Sequence, residues 1–144
     1  MNKNQLKIMH YGNLINTVIT DTENTQESLN PEFEVLRAAI DDQKISDMDG
    51  AAYQKTQQDF AEGTAHYQSL LDQLNSAAVP ARLIGNHKLL TGSYGRFVDA
   101  CVAMTKSLGD NLAIDVEAFN QAEAIQDEET EKITKYLQKI SVLV

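Results

Sequence analysis

Three histidines, one cysteine and a surplus of carboxylates are the side chains here whose types allow chemistry, and their spacing decides which chemistry. A di-iron centre in a helical protein needs Glu-x-x-His on two helices. None of His10, His66 or His87 has a Glu three residues to either side. Glu62 and His66 stand four apart on one helical face, the spacing of an ordinary surface pair. A single cysteine cannot build a thiolate zinc site. Gly92-Ser93-Tyr94-Gly95 is followed by no Gly-Lys-Ser/Thr, and Gly-x-Gly-x-x-Gly is absent, so a glycine-loop phosphate site has no support. Cys101 and His87 lie in one helical segment at a separation of about 21 Å by helical rise, too far for a thiol–imidazole dyad. The expectation is a protein without catalytic residues, metal or cofactor, and not an enzyme.

Two other groups of residues carry more information. Glu123, Gln126 and Thr130 take successive positions of an otherwise apolar stripe. With Thr64, Tyr67 and Tyr94 opposite, Glu123 and Gln126 would form a polar layer inside a helical stack. Such a layer costs stability unless its members hydrogen-bond one another. It either fixes register, as polar core residues do in coiled coils, or lines a pocket. Rotation of the last helix, bringing Ala118, Ala122 and Ile125 inward, is the alternative arrangement. The second group is Leu89, Gly92, Gly95, Val102 and Ala103, opposite the core stripe of the third long segment. Glycine in an exposed helix interior costs ~1 kcal/mol against alanine, so this face is expected to be packed closely by the first helix or by a second molecule. The apolar run Ile140–Val144 is a further contact candidate. Asp127-Glu128-Glu129 with Glu131 reads as a solvated acidic face. His87, on the core side, reads as a satisfied structural histidine; a pH-sensitive site is the sharper alternative.

The elements that must position these residues are helices. Tyr53, Gln57, Phe60, Thr64, Tyr67, Leu71, Leu74 and Ala78 recur in alternating steps of four and three. So do Leu83, His87, Leu90, Tyr94, Phe97, Cys101, Met104 and Leu108, and the series from Val116 through Phe119, Glu123 and Gln126 to Val144. A seven-residue repeat held over three segments specifies long helices packed lengthwise. The first segment has two stripes, Ile8–Val18 and Leu29–Ile40, on either side of Asn30-Pro31, which reads as a cap followed by proline at a first helical position. The expected fold is all-α: an antiparallel up-down four-helix bundle with a broken or kinked first helix, as one domain over 1–144. The helices fall at about 4–20, 31–44, 50–78, 80–108 and 113–142, with 20–30 a loop or weak helix. Short connections place Leu71 beside Leu90, Phe60 beside Cys101, and Cys101 beside Phe119.

Composition agrees. Of 144 residues, 42% are hydrophobic and 23% charged, with no Trp and a formal charge of −9. This is a globular composition, without a disulfide scaffold or a uniformly basic surface for nucleic acid. No run approaches the ~18 apolar residues of a membrane span, and the start of the chain lacks a signal-peptide core, so the expected location is cytoplasmic, with leaderless export as the alternative. Helical character resembles that of small acidic secreted helical hairpins, but the Trp-x-Gly between the helices and the acid four residues after a tyrosine are missing. The functional expectation is a protein–protein interaction module (adaptor, chaperone, immunity-type or assembly subunit) that takes a protein partner or self-associates, with no nucleic acid. The alternative is a small-ligand or sensor bundle built on the polar layer.

Overall fold

Short polar side chains start three of the four long helices, in a computed structural model that describes residues 1–144. Asn2 and Gln5 form a reciprocal capping box at the start of α1 (Lys3–Asp41). Asp49 accepts from the Ala52 N–H to open α2 (Gly50–Asn75). Asp115 accepts from the Ala118 N–H to open α4 (Val116–Leu143). The third, α3 (Ile84–Ser107), follows Pro80 through a 3₁₀ turn at Ala81–Leu83. There is no strand, and no helix is long and apolar enough to cross a membrane.

The expected break in the first helix is absent. α1 runs uninterrupted for 39 residues with Pro31 in its interior, and residues 20–30 are helical. Proline at this position leaves the Glu27 carbonyl without its helical donor. The hydroxyls of Thr25 and Ser28 donate to carbonyls of their own helix, Asp21 at 2.8 Å and Thr25 at 2.8 Å, and so do not unwind it. Burial on both sides holds the helix through this stretch: Tyr11, Ile15 and Val18 pack into one hydrophobic cluster, Leu36 and Ile40 into another.

Neighbouring helices pack α1 on α2, α2 on α3 and α3 on α4, the last being the most extensive contact. At one end of the α2–α3 seam the Tyr53 hydroxyl donates to the Leu108 carbonyl and Gln57 to that of Gly109, satisfying orphan acceptors at the end of α3. At the other end His87 Nε2 lies 2.8 Å from the Leu74 carbonyl. All eight positions of the α3 stripe are buried. Beyond α3 the chain turns through Gly109, whose φ of +60° is left-handed and where a Cβ would lie 2.5 Å from the Ala113 carbonyl oxygen.

At Gly63 the Leu29 side chain of α1 presses directly on the backbone of α2. A Cβ there would come 2.6 Å from Leu29 Cδ1. α1 therefore settles onto α2, while its contact with α4 is slight. Pro31→Ala restores one helical hydrogen bond at an exposed position. It is expected to raise unfolding free energy by up to about 3 kcal/mol, read as a higher urea midpoint at unchanged m; an unchanged or lower midpoint would contradict this account of α1.

Candidate functional site

The two hydrophobic clusters meet at a cavity of about 380 Å³. α1 supplies Gln26, Leu29, Asn30 and Phe33, α2 supplies Phe60, Thr64 and Tyr67, α3 supplies Phe97, Cys101, Met104 and Thr105, and α4 supplies Glu123, Gln126 and Asp127. Asn30 and Asp127 are solvent-exposed, so the opening lies between α1 and α4. Tyr67 and Phe97 form an edge-to-face pair in the wall, with centroids 5.0 Å apart.

Four of the five residues assigned to a polar layer, Thr64, Tyr67, Glu123 and Gln126, line this one cavity. They do not form a closed network among themselves. The Thr64 hydroxyl donates to the Phe60 carbonyl at 2.8 Å, and that of Thr105 to the Cys101 carbonyl at 2.9 Å, so both oxygens face the cavity as acceptors only. Gln126 Nε2 reaches only the Met104 sulfur, at 3.6 Å. A Glu123 carboxylate oxygen lies 3.5 Å from Arg37 Nη1, and Arg37 is held mainly by Asp41 at 2.7 Å and Asn120 at 2.8 Å. Tyr94 stands apart. Its hydroxyl pairs with Thr22 at 2.7 Å, and it lines a separate small cavity with Thr130 and Ile133. Burial pushes the Tyr94 hydroxyl up to about 12 and the Cys101 thiol up to about 12, and burial also raises Tyr67. Cys101 is thus a protonated, apolar part of the wall rather than a nucleophile.

α4 combines both arrangements considered for it. Ala122 is buried and Ala118 half-buried, but Ile125 is exposed, and Glu123, Gln126 and Thr130 are half-buried. The outer face of α3 divides similarly. Leu89, Val102 and Ala103 are exposed; Gly92 is half-buried beneath the Arg96 guanidinium, and Gly95 is half-buried facing Leu71 of α2.

His87 is tied on both ring nitrogens. The Leu74 carbonyl can only accept, so Nε2 carries a proton toward it, and Nδ1 lies 2.7 Å from the Tyr11 hydroxyl oxygen. Three helices, α1, α2 and α3, meet at this imidazole. Glu129, read from sequence as part of a solvated acidic run, is only 4% exposed. Arg96 Nε donates to its Oε1 at 2.8 Å, and Lys132 lies 3.6 Å away. Burial pushes this carboxyl up, but Arg96, Ser93 and Lys132 together outweigh burial and hold it below its ordinary range. Ala122, Glu129 and Tyr136 are spaced by seven along α4, a signal that the density of acids obscured.

No protein-family model, curated protein or solved structure matches this chain.

Because the folded Glu129 carboxyl is depressed, its stabilising contribution is complete above the unfolded value of about 4.3 and is lost as pH falls through the folded value. Arg96→Met is expected to cost about 1–3 kcal/mol at neutral pH. The difference from wild type should shrink as acid protonates Glu129 in both proteins, which paired urea titrations across pH would measure.

Proposed function

We propose that the four helices run alternately up and down as one bundle, and that the protein binds a small amphipathic molecule in the cavity between α1 and α4. The observation that carries this reading is the convergence of Thr64, Tyr67, Glu123 and Gln126, drawn from two helices, on a single aromatic-walled space. Its volume of about 380 Å³ falls in the range of roughly 300–1,000 Å³ typical of small-molecule sites. A register-fixing layer would satisfy itself; here the Gln126 amide has only a sulfur partner, and the threonine oxygens keep free lone pairs.

The lining also indicates a charge preference. It contains two carboxylates, Glu123 and Asp127, and no basic residue; Glu123 already has Arg37 at 3.5 Å outside the lining, and Asp127 has no ion pair. Aromatic faces beside carboxylates favour a cation and disfavour an anion. The fitting ligand is compact and mostly apolar, with an aromatic or branched aliphatic body and a neutral or ammonium head. The head would lie toward Glu123 and Asp127 and the body between Phe60, Tyr67 and Phe97.

A second reading, docking of a protein on the outer face of α3, draws support from exposed Leu89, Val102 and Ala103. A Cβ at Gly92 or Gly95 would make only ordinary contacts, 3.5 Å from Arg96 Nη1 and 3.9 Å from Leu71 Cδ2, so packing within the chain does not require glycine at either position.

Thermal unfolding with three probes of similar size separates these possibilities. Phenethylamine and 2-phenylethanol are expected to raise Tm in a concentration-dependent way, the amine more strongly, and 3-phenylpropanoate is not. Gln126→Trp, which fills the cavity from its half-buried rim, should abolish both shifts while the protein stays folded, and Gln126→Leu should weaken them. Equal shifts in wild type and Gln126→Trp, or no shift with any probe, would overturn the cavity reading.

A further inference from the structure

Charge is sharply segregated along the molecule. The first turns of α1, the end of α2, the start of α3 and the end of α4 converge at one end. The Tyr11–His87–Leu74 hydrogen bonds and the approach of Val144 to Gly12 bring them together. Residues 1–14, 70–90 and 133–144, which build this end, contain six bases (Lys3, Lys7, Arg82, Lys88, Lys135 and Lys139) and one acid, Asp72. The rest of the chain holds twenty acids and six bases. In that acidic part four of the six bases, Arg37, Lys55, Arg96 and Lys132, make ion pairs and Lys44 and Lys106 do not, whereas none of the six bases at the basic end does, and all six are exposed.

The same end carries most of the exposed apolar surface. Eight of the twelve large hydrophobic side chains exposed on the molecule lie there, among them Leu6, Met9, Ile84, Leu89 and Val142, the last 85% exposed. An open apolar groove of about 510 Å³, between the first turns of α1 and Ala77–Ala78, is flanked by Lys3 and Lys7. Unpaired lysines interleaved with exposed aliphatic side chains, on a protein that is otherwise acidic, make a surface with two complementary requirements: negative charge and an apolar layer beneath it.

We propose that this end docks on a bilayer surface bearing anionic headgroups. The lysines meet the headgroups, Leu6, Met9 and Val142 enter the acyl boundary, and the acidic remainder of the molecule is repelled, so the long axis stands away from the bilayer. Nucleic acid would satisfy the lysines but leave the aliphatic side chains without an apolar partner. The acidic end of a second copy would supply charge but little apolar surface, since only four large hydrophobics are exposed over the whole of the rest of the molecule. This assignment does not depend on the cavity between α1 and α4.

Vesicle co-sedimentation tests it. The full chain is expected to pellet with vesicles of phosphatidylcholine and phosphatidylglycerol and not with phosphatidylcholine alone, and raised salt should release it. Each lysine removed should weaken partitioning about fivefold, so Lys3→Glu/Lys7→Glu and Lys135→Glu/Lys139→Glu should each reduce it by well over tenfold. Val142→Asp should weaken binding although the bases remain, and Val116→Asp at the acidic end should not. All of these positions are exposed, and circular dichroism checks that each variant is folded. The proposal is overturned by any of four results: no binding to anionic vesicles; equal binding to both vesicle types; binding to duplex DNA that needs the lysines but not Val142; or lysine-dependent dimerisation in light scattering without vesicle binding.

Discussion

Backbones approach closely only where side chains are small, and this constraint decides where the interior of the protein closes and where it stays open. On the α3 side, Ser93, Ala100 and Ser107 recur every seven residues and are buried, and Ala122 is buried on α4. The Asp115 N–H donates to the Ser107 carbonyl at 2.7 Å, which fastens the start of α4 to the end of α3. On the opposite side Gly63 gives Leu29 room to press against α2. α4 is thus drawn to α3 and α1 to α2. The gap between α1 and α4 is what these two close seams leave behind, and the cavity opens into it.

Polar groups inside the helices then fall into two kinds. The Tyr11–His87–Leu74 chain and the Arg96–Glu129 pair join different helices and find hydrogen-bond partners for most of their buried atoms; they hold position. Thr64, Gln126 and Glu123 face a space and leave hydrogen-bonding capacity unused. A buried polar group without a partner is costly, so half-open placement beside solvent is the arrangement in which such residues persist. That difference, rather than polarity as such, separates residues that hold the fold from those available to a ligand.

Sequence periodicity was enough to read the helices, because burial is repeated at every turn: all eight stripe residues of α3 from Leu83 to Leu108 are buried. It also brings four of the five polar-layer residues to one cavity, since stripe position and short connections fix which side chains meet. It failed where a distant partner reverses a local preference. Asn30-Pro31 reads as a helix start, but packing of Tyr11 to Val18 and of Leu36 and Ile40 into separate clusters outweighs the hydrogen bond lost at Pro31. Glu129 reads as solvated because its neighbours are acids, and its neutralising partner, Arg96, lies on another helix. The stripe position of Tyr94 predicts a place in the polar layer, but the hydroxyl of Thr22, in a stretch whose composition predicts a loop or weak helix, pairs with it instead. The α1 wall of the cavity was not legible for the same reason.

The central claim is that the space between α1 and α4 receives a ligand from solvent. The four methionines allow a direct measurement, because Met104 lines the cavity and Met1, Met9 and Met48 do not. In a titration with phenethylamine followed by ¹³C-methyl NMR of the methionines, the account predicts a saturable shift of the Met104 methyl with the other three unmoved. Shifts at Met9 or Met48 with Met104 unchanged, or no shift at any methionine, would contradict it.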